Sequence, residues 1–201
     1  MSELPELVVY KEIREADLRK LLSNSADAKT GGGARDLRFP WKPFLGVMQR
    51  IFSVPGPTVG EGVVRIARLS YARGDEHRVS ELEYWPPTRS RPGEGRIARV
   101  HESPELGRRP PRMDRGRVFV VLQKYSDGTV WCSYAYEEDL RTPGQWPDEV
   151  RHPILTCIES VLTQNAGAVV QGFVDLAASD SYCHASRVSV QTSKSGIGSL
   201  D

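Results

Sequence analysis

Two β-prone runs face each other across an Asp-Gly step. Residues 117–125 read RVFVVLQKY, residues 129–136 read TVWCSYAY, and Ser126-Asp127-Gly128 lies between them. Valine, phenylalanine, tyrosine and tryptophan suit a pleated surface, and glycine after aspartate supplies the positive φ that a tight primed hairpin turn needs. The middle of the chain is therefore committed to antiparallel sheet. Further short strands are expected at 7–10, at 37–39 (stopped by Pro40), at 63–69 and at 79–85, with a brief apolar beat at 96–100.

Helical periodicity is confined to the flanks. Leu18, Leu21 and Leu22 share one face of a short helix over 16–22. Phe44, Val47, Met48, Ile51 and Phe52 recur at the spacing of an amphipathic helix. After Asp148, the positions Ile154, Leu155, Ile158, Val161 and Leu162 define a third helix, with Pro153 at its start and Gly167 past its end. Residues 168–178 are small and apolar and fit helix or strand. Short central strands with peripheral helices fit a closed or half-closed barrel.

At 201 residues the chain suits one domain with an appendage and can bury a core without a metal or disulfide staple. No apolar stretch reaches a membrane span, and the acidic N-terminus lacks the apolar segment of a secretory signal, so a cytoplasmic location is expected. Cys132, Cys157 and Cys183 are odd in number and widely spaced, with no CxxC pair. They are expected as idle thiols, with no structural zinc and no cofactor.

The net charge of +1 hides an asymmetry. Residues 1–119 sum to +6 and residues 120–201 to −5. Residues 86–117 are the steepest part, with nine arginines, four acids and no lysine. Arginine's planar fork matches phosphate oxygens and guanine edges, so the stretch reads as an electrostatic footprint for nucleic acid. The plainer alternative is a solvated loop, because prolines and glycines punctuate the same residues.

Other motifs carry less chemistry. Lys29-Thr30-Gly31-Gly32-Gly33 has its Lys-Thr before the glycines and no strong strand leading in, so it is a flexible loop and not a nucleotide cradle. Asp17, Asp27 and Lys29 imitate the carboxylate and lysine set of a Mg-dependent nuclease but sit in a polar, small-residue stretch. Asp180-Ser181-Tyr182-Cys183-His184 gathers nucleophile and base types without a nucleophile elbow. Arg73-Gly74-Asp75 reads as a hairpin turn. Trp85 borders the arginine-rich segment.

The order of these features resembles a known family. The stretch 20–27 leads to Thr30-Gly31-Gly32, then to Leu37-Arg38-Phe39-Pro40. Tyr84-Trp85, the arginine-rich loop, residues 93–99 (GEGRIAR) and the hairpin follow. Over about residues 8–140 this looks like the N-terminal DNA-recognition domain of EcoRII-type restriction endonucleases, whose pseudobarrel is shared with plant B3 DNA-binding domains. The resemblance implies a wrench-like grip on duplex DNA, with one arm at 20–38 and the other at 89–99, both reading the major groove. Lys20 and the pair Glu94 and Arg96 match the family's motif positions. The chain departs from it at Pro92 and Gly33, and in a loop about two residues shorter before Glu94. The family's nuclease domain has no counterpart, so cleavage is not implied.

The expected fold is mainly β (α+β), a B3-like DNA-binding pseudobarrel over 1–145. A C-terminal helical extension is expected over 146–192, packed on the barrel or at a dimer face, and a flexible tail over 193–201. The expected function is sequence-specific double-stranded DNA binding without catalysis, in a bacterial restriction or antiviral defence setting. The expected DNA-binding residues are Lys20, Lys29, Arg35, Arg38, Arg89, Arg91, Glu94, Arg96 and Arg99. A glutamate among arginines repels a phosphate backbone, so its presence favours base reading or a structural ion pair. The alternatives are a protein-interaction module that engages a second copy or a partner effector protein, and a Mg-dependent nuclease. No membrane partner is expected.

Overall fold

The computed structural model describes residues 4–14, 17, 36–59, 62–73, 76–98, 100, 103, 106 and 111–186. The expected helix over 16–22 falls almost wholly outside them. So do the Gly-rich loop, the Gly74-Asp75 turn and the tail.

The described chain is mainly β. Its strands are β1 (Leu7–Ile13), β2 (Leu37–Pro40), β3 (Val54–Val59), β4 (Gly62–Arg73), β5 (Glu76–Trp85), β6 (Glu94–Ala98), β7 (Val118–Lys124), β8 (Val130–Tyr136), β9 (Val169–Asp175) and β10 (Asp180–Ser186). Its α-helices are α1 (Trp41–Ile51), α2 (Glu137–Arg141) and α3 (Asp148–Gln164). The strands form one sheet in the order β10-β9-β1-β7-β8-β4-β5-β6-β2, with β3 paired to β4. Every pairing is antiparallel except β4 with β8, which meet in parallel at Leu69↔Val130. The sheet is thus two antiparallel blocks joined at a narrow seam. Along the edge of β4 that faces away from β5, β3 occupies the first residues and β8 the seam.

The sheet curls. Leu7 and Val9 of β1, Leu37 and Phe39 of β2, Leu82 and Tyr84 of β5, and Val120 and Leu122 of β7 share one core with α1. Strands from both ends of the order can share a core only if the sheet closes towards itself. Helix α1 fills the interior as its spacing predicts, burying Phe44, Val47, Met48 and Ile51. The Phe44 ring meets Phe39 of β2 at 5.1 Å, and Phe173 of β9 and Tyr182 of β10 at 5.8 Å each. One aromatic side chain therefore ties the two ends of the sheet together.

A second core lies on the outer face of the β9-β1-β7 block. There α3 buries Val150, Ile154, Cys157, Ile158 and Val161 against Val8, Tyr10, Phe119, Val121 and Val170. At about 1.5–3 kcal/mol per fully buried aliphatic side chain, this layer is a principal source of stability.

Three local expectations are corrected. Residues 146–192 are not a helical extension throughout, because β9 pairs β1 and β10 pairs β9 within the main sheet. Residues 169–175 are buried on both faces and show no alternation to mark them as strand. Helix α3 begins at Asp148, so Pro153 lies inside it. The β7–β8 turn is not a primed one: Gly128 has φ +87, neither Ser126 nor Asp127 has a positive φ, and the Gly128 N–H donates to the Tyr125 carbonyl at 3.0 Å. That geometry is an ordinary turn closed by a left-handed glycine, and the Asp127 carboxylate braces it by accepting from the Thr129 N–H at 2.7 Å.

The cysteines are also corrected. Packing of α3 against β10 brings Cys157 and Cys183 to a Cα separation of 5.5 Å, and the two are disulfide-bonded. Cys132 is buried and outside the bond. No helix among the described residues is long and apolar enough to cross a membrane.

Candidate nucleic-acid interface

Strand alternation builds the site. In β2, Leu37 and Phe39 point into the core, so Arg38 points out. In β6, Gly95 and Ile97 point in, so Glu94 and Arg96 point out together. Register places Arg38 opposite Arg96, and Arg96 opposite Trp85 of β5. The inward position opposite Phe39 must be glycine: a Cβ on Gly95 would overlap the Tyr84 hydroxyl and the Trp41 ring.

Arg96 is held on two sides. Its guanidinium lies over the Trp85 indole, 4.8 Å from the ring centroid, and donates to Asp36 at 3.2 Å. The indole is itself oriented by donating from Nε1 to Glu83 at 2.9 Å. This stacking reduces the rotamer freedom Arg96 would lose on binding. Arg38 and Glu94 form a looser pair, with 3.5 Å between Nη1 and Oε2 and side chains 34% and 49% exposed.

The loop between β5 and β6 completes the site. The Arg91 N–H donates to the Thr88 carbonyl at 2.9 Å, and the Thr88 and Ser90 hydroxyls lie 3.0 Å apart. The loop is pinned to the core where the Trp41 N–H donates to the Gly93 carbonyl at 2.8 Å. A cavity of about 290 Å³ opens here, walled by Arg38 of β2, by Pro86, Thr88, Ser90 and Arg91 of the loop, and by Glu94 and Arg96 of β6.

Four residues singled out from the sequence therefore meet around one cavity: Arg38, Arg91, Glu94 and Arg96. Arg89 lies in the same loop, exposed, without lining the cavity. Lys20, Lys29, Arg35 and Arg99 lie outside the described residues. Sequence reading missed Asp36, Thr88 and Ser90, and it gave Trp85 no partner. In the sequence Glu94 and Arg96 are linked only by the family resemblance, and their shared strand face comes from the structure.

Behind the site, Lys11 of β1 reaches across the curl. Its ammonium donates to the Arg38 carbonyl at 2.8 Å and to Gln171 at 2.9 Å, and lies 5.4 Å from the Phe39 ring centre. Burial pushes its pKa down to about 8, a shift that nearby Asp17, Glu94 and Glu12 partly oppose. The contact holds edge strand β2 against the rest of the sheet.

The described arginines at 112–117 are engaged differently. Arg112 pairs with Asp114, Arg115 with Glu138 and Asp139, and Arg117 with the buried Glu12. Acids of the 114–139 stretch and Glu12 of β1 thus neutralise these arginines from within. Of the nuclease-like set, Asp17 accepts from the Arg14 N–H at 3.2 Å, while Asp27 and Lys29 lie outside the described residues. Cys183 is spent in the disulfide and His184 stacks on Tyr182, so the thiol of the 180–184 cluster is not a nucleophile. No grouping of His, Cys, Asp or Glu among the described residues could hold a metal. No protein-family model, curated protein or solved structure matches the chain.

Proposed function

We propose that this chain binds double-stranded DNA sequence-specifically, with a B3-like pseudobarrel that offers the β2–β6 face and the 86–93 loop to the major groove, and that it does so without catalysis. One observation carries the reading: Arg38, Arg91, Glu94 and Arg96 surround a single open cavity at the outer face of the β2–β6 pair. Arg96, stacked and tethered, suits bidentate donation to guanine O6 and N7, and Glu94 suits acceptance from a cytosine N4 amine. Arg91 and Arg89 would then serve phosphates and set register. A restriction or antiviral defence setting follows from the family resemblance alone.

The test is selection from a random duplex pool, without metal, at about 0.15 M salt. A converged motif is expected, and Arg96→Ala is expected to cost about 1–3 kcal/mol and relax one position of it. Equal loss on every sequence would end the base-reading role. No retention even at low salt would move the assignment to a protein-interaction module.

A further inference from the structure

The cavity wall has the chemistry of an oxyanion seat. Three of its side chains are guanidinium groups, two are hydroxyls, and no aromatic ring is among its lining residues. Guanidinium forks match phosphate oxygens, and hydroxyls add neutral donors. A nucleobase would call for a stacking face, and the nearest indole, Trp85, is already covered by Arg96. The backbone of the loop that carries Thr88, Ser90 and Arg91 is fixed at its own turn and at Gly93, so its two hydroxyls are in place before a ligand arrives.

The one carboxylate of the wall is Glu94, paired with Arg38 across 3.5 Å with both side chains partly exposed. Ion pairs of that length and exposure are weak. A phosphate beside Arg38 is the stronger partner, because its oxygens also meet Thr88, Ser90 and Arg91.

We propose that this cavity seats one phosphate group, held by Thr88, Ser90 and Arg91 together with Arg38, and that Arg38 exchanges Glu94 for the phosphate. Glu94 is thereby released as a free acceptor next to Arg96. Phosphate occupancy and the availability of Glu94 are coupled. The seat itself requires only phosphate oxygens, whether of a duplex backbone or of the free ion. The consequence for base reading rests on the DNA-binding function proposed above.

The experiment titrates the ¹⁵N-labelled full chain with inorganic phosphate, with sodium chloride at matched ionic strength as the control. Saturable shifts of the 88–94 amides with phosphate alone are expected. Arg91→Gln should weaken that binding about tenfold or more, the loss of a charge-assisted contact. Glu94→Gln should strengthen it about two- to fivefold, because Arg38 no longer has to leave a carboxylate. Identical shifts with chloride, or weaker phosphate binding in Glu94→Gln, would overturn the proposal. Both variants are at exposed positions, and unchanged spectra elsewhere confirm folding.

Duplex DNA added to the same samples separates the two readings. Phosphate binding without duplex binding keeps the seat and removes the DNA function. Duplex binding that Arg91→Gln leaves intact, with no phosphate response, keeps the DNA function and removes the seat.

Discussion

The β9-β1-β7 block and the β5-β6-β2 block use the same antiparallel pairing and end in opposite states. The first is covered on both faces, by α1 inside and α3 outside, and Cys157–Cys183 ties α3 to the neighbouring strand β10. The second is covered on its inner face, while its outer face carries Arg38, Glu94, Arg96 and Trp85. Arginines 112, 115 and 117 lie with acids, whereas Arg91 has no ion-pair partner among the described residues. The outer packing layer and the candidate interface therefore lie in different halves of one sheet, although both halves contribute to the inner core. A narrow parallel seam at Leu69↔Val130 and the α1 core join them.

Substitutions should separate along the same line. The largest effect is expected for Ile158→Ala in α3, which opens a cavity in a fully buried layer and should cost about 2–5 kcal/mol of stability. DNA affinity per folded molecule should stay unchanged, as measured by chemical denaturation beside equilibrium binding. Loss of affinity at constant stability would break the comparison. Opening the disulfide, through Cys157→Ala with Cys183→Ala or by reductant, should cost about 3 kcal/mol, because it releases a 26-residue closure. A thermal midpoint indifferent to reductant would show that the bond contributes nothing.

Lys11 joins the two halves across the curl, away from the β4–β8 seam. Its folded pKa, about 8, lies below the ordinary lysine value of 10.5, so the unfolded chain binds the extra proton between those limits. Stability should rise with pH through that window, by about 3 kcal/mol at most, as the cost of burying the charged ammonium disappears. Denaturation at pH 7.5 and 9.5 checks this, and Lys11→Met should flatten the slope. A slope that survives the substitution belongs to another group.

The smallest effects are expected at the paired arginines. Arg112→Ala should leave both the DNA motif and the thermal midpoint unchanged, because its partner is Asp114 and both are solvent-exposed. A clear loss of affinity would place the 111–117 stretch in the interface after all.

Legibility in the sequence follows the physics of each half. Strands with one wet face show alternation, and so β2 and most of β5 are readable from residues alone, whereas β6 shows only an apolar beat and its outward pair Glu94 and Arg96 comes from the fold. β9, wet on neither face, shows none. β3 contains Pro55 and Pro57, which hide a strand that survives because it pairs only with β4. α2 has one buried residue, Leu140, and its acids are met by Arg115, Arg117 and Arg141. The tether from Asp36 to Arg96 spans 60 residues, and only the fold brings the two together.

Ligand binding is proposed to belong to the half whose outer face carries Arg38, Glu94 and Arg96. Amide chemical-shift mapping of the labelled chain with a duplex from the selected pool tests it directly. The account predicts perturbations at β2, β6 and residues 86–93, with α3 and β9 silent. Perturbations centred on α3, with β6 and the 86–93 loop unmoved, would contradict it.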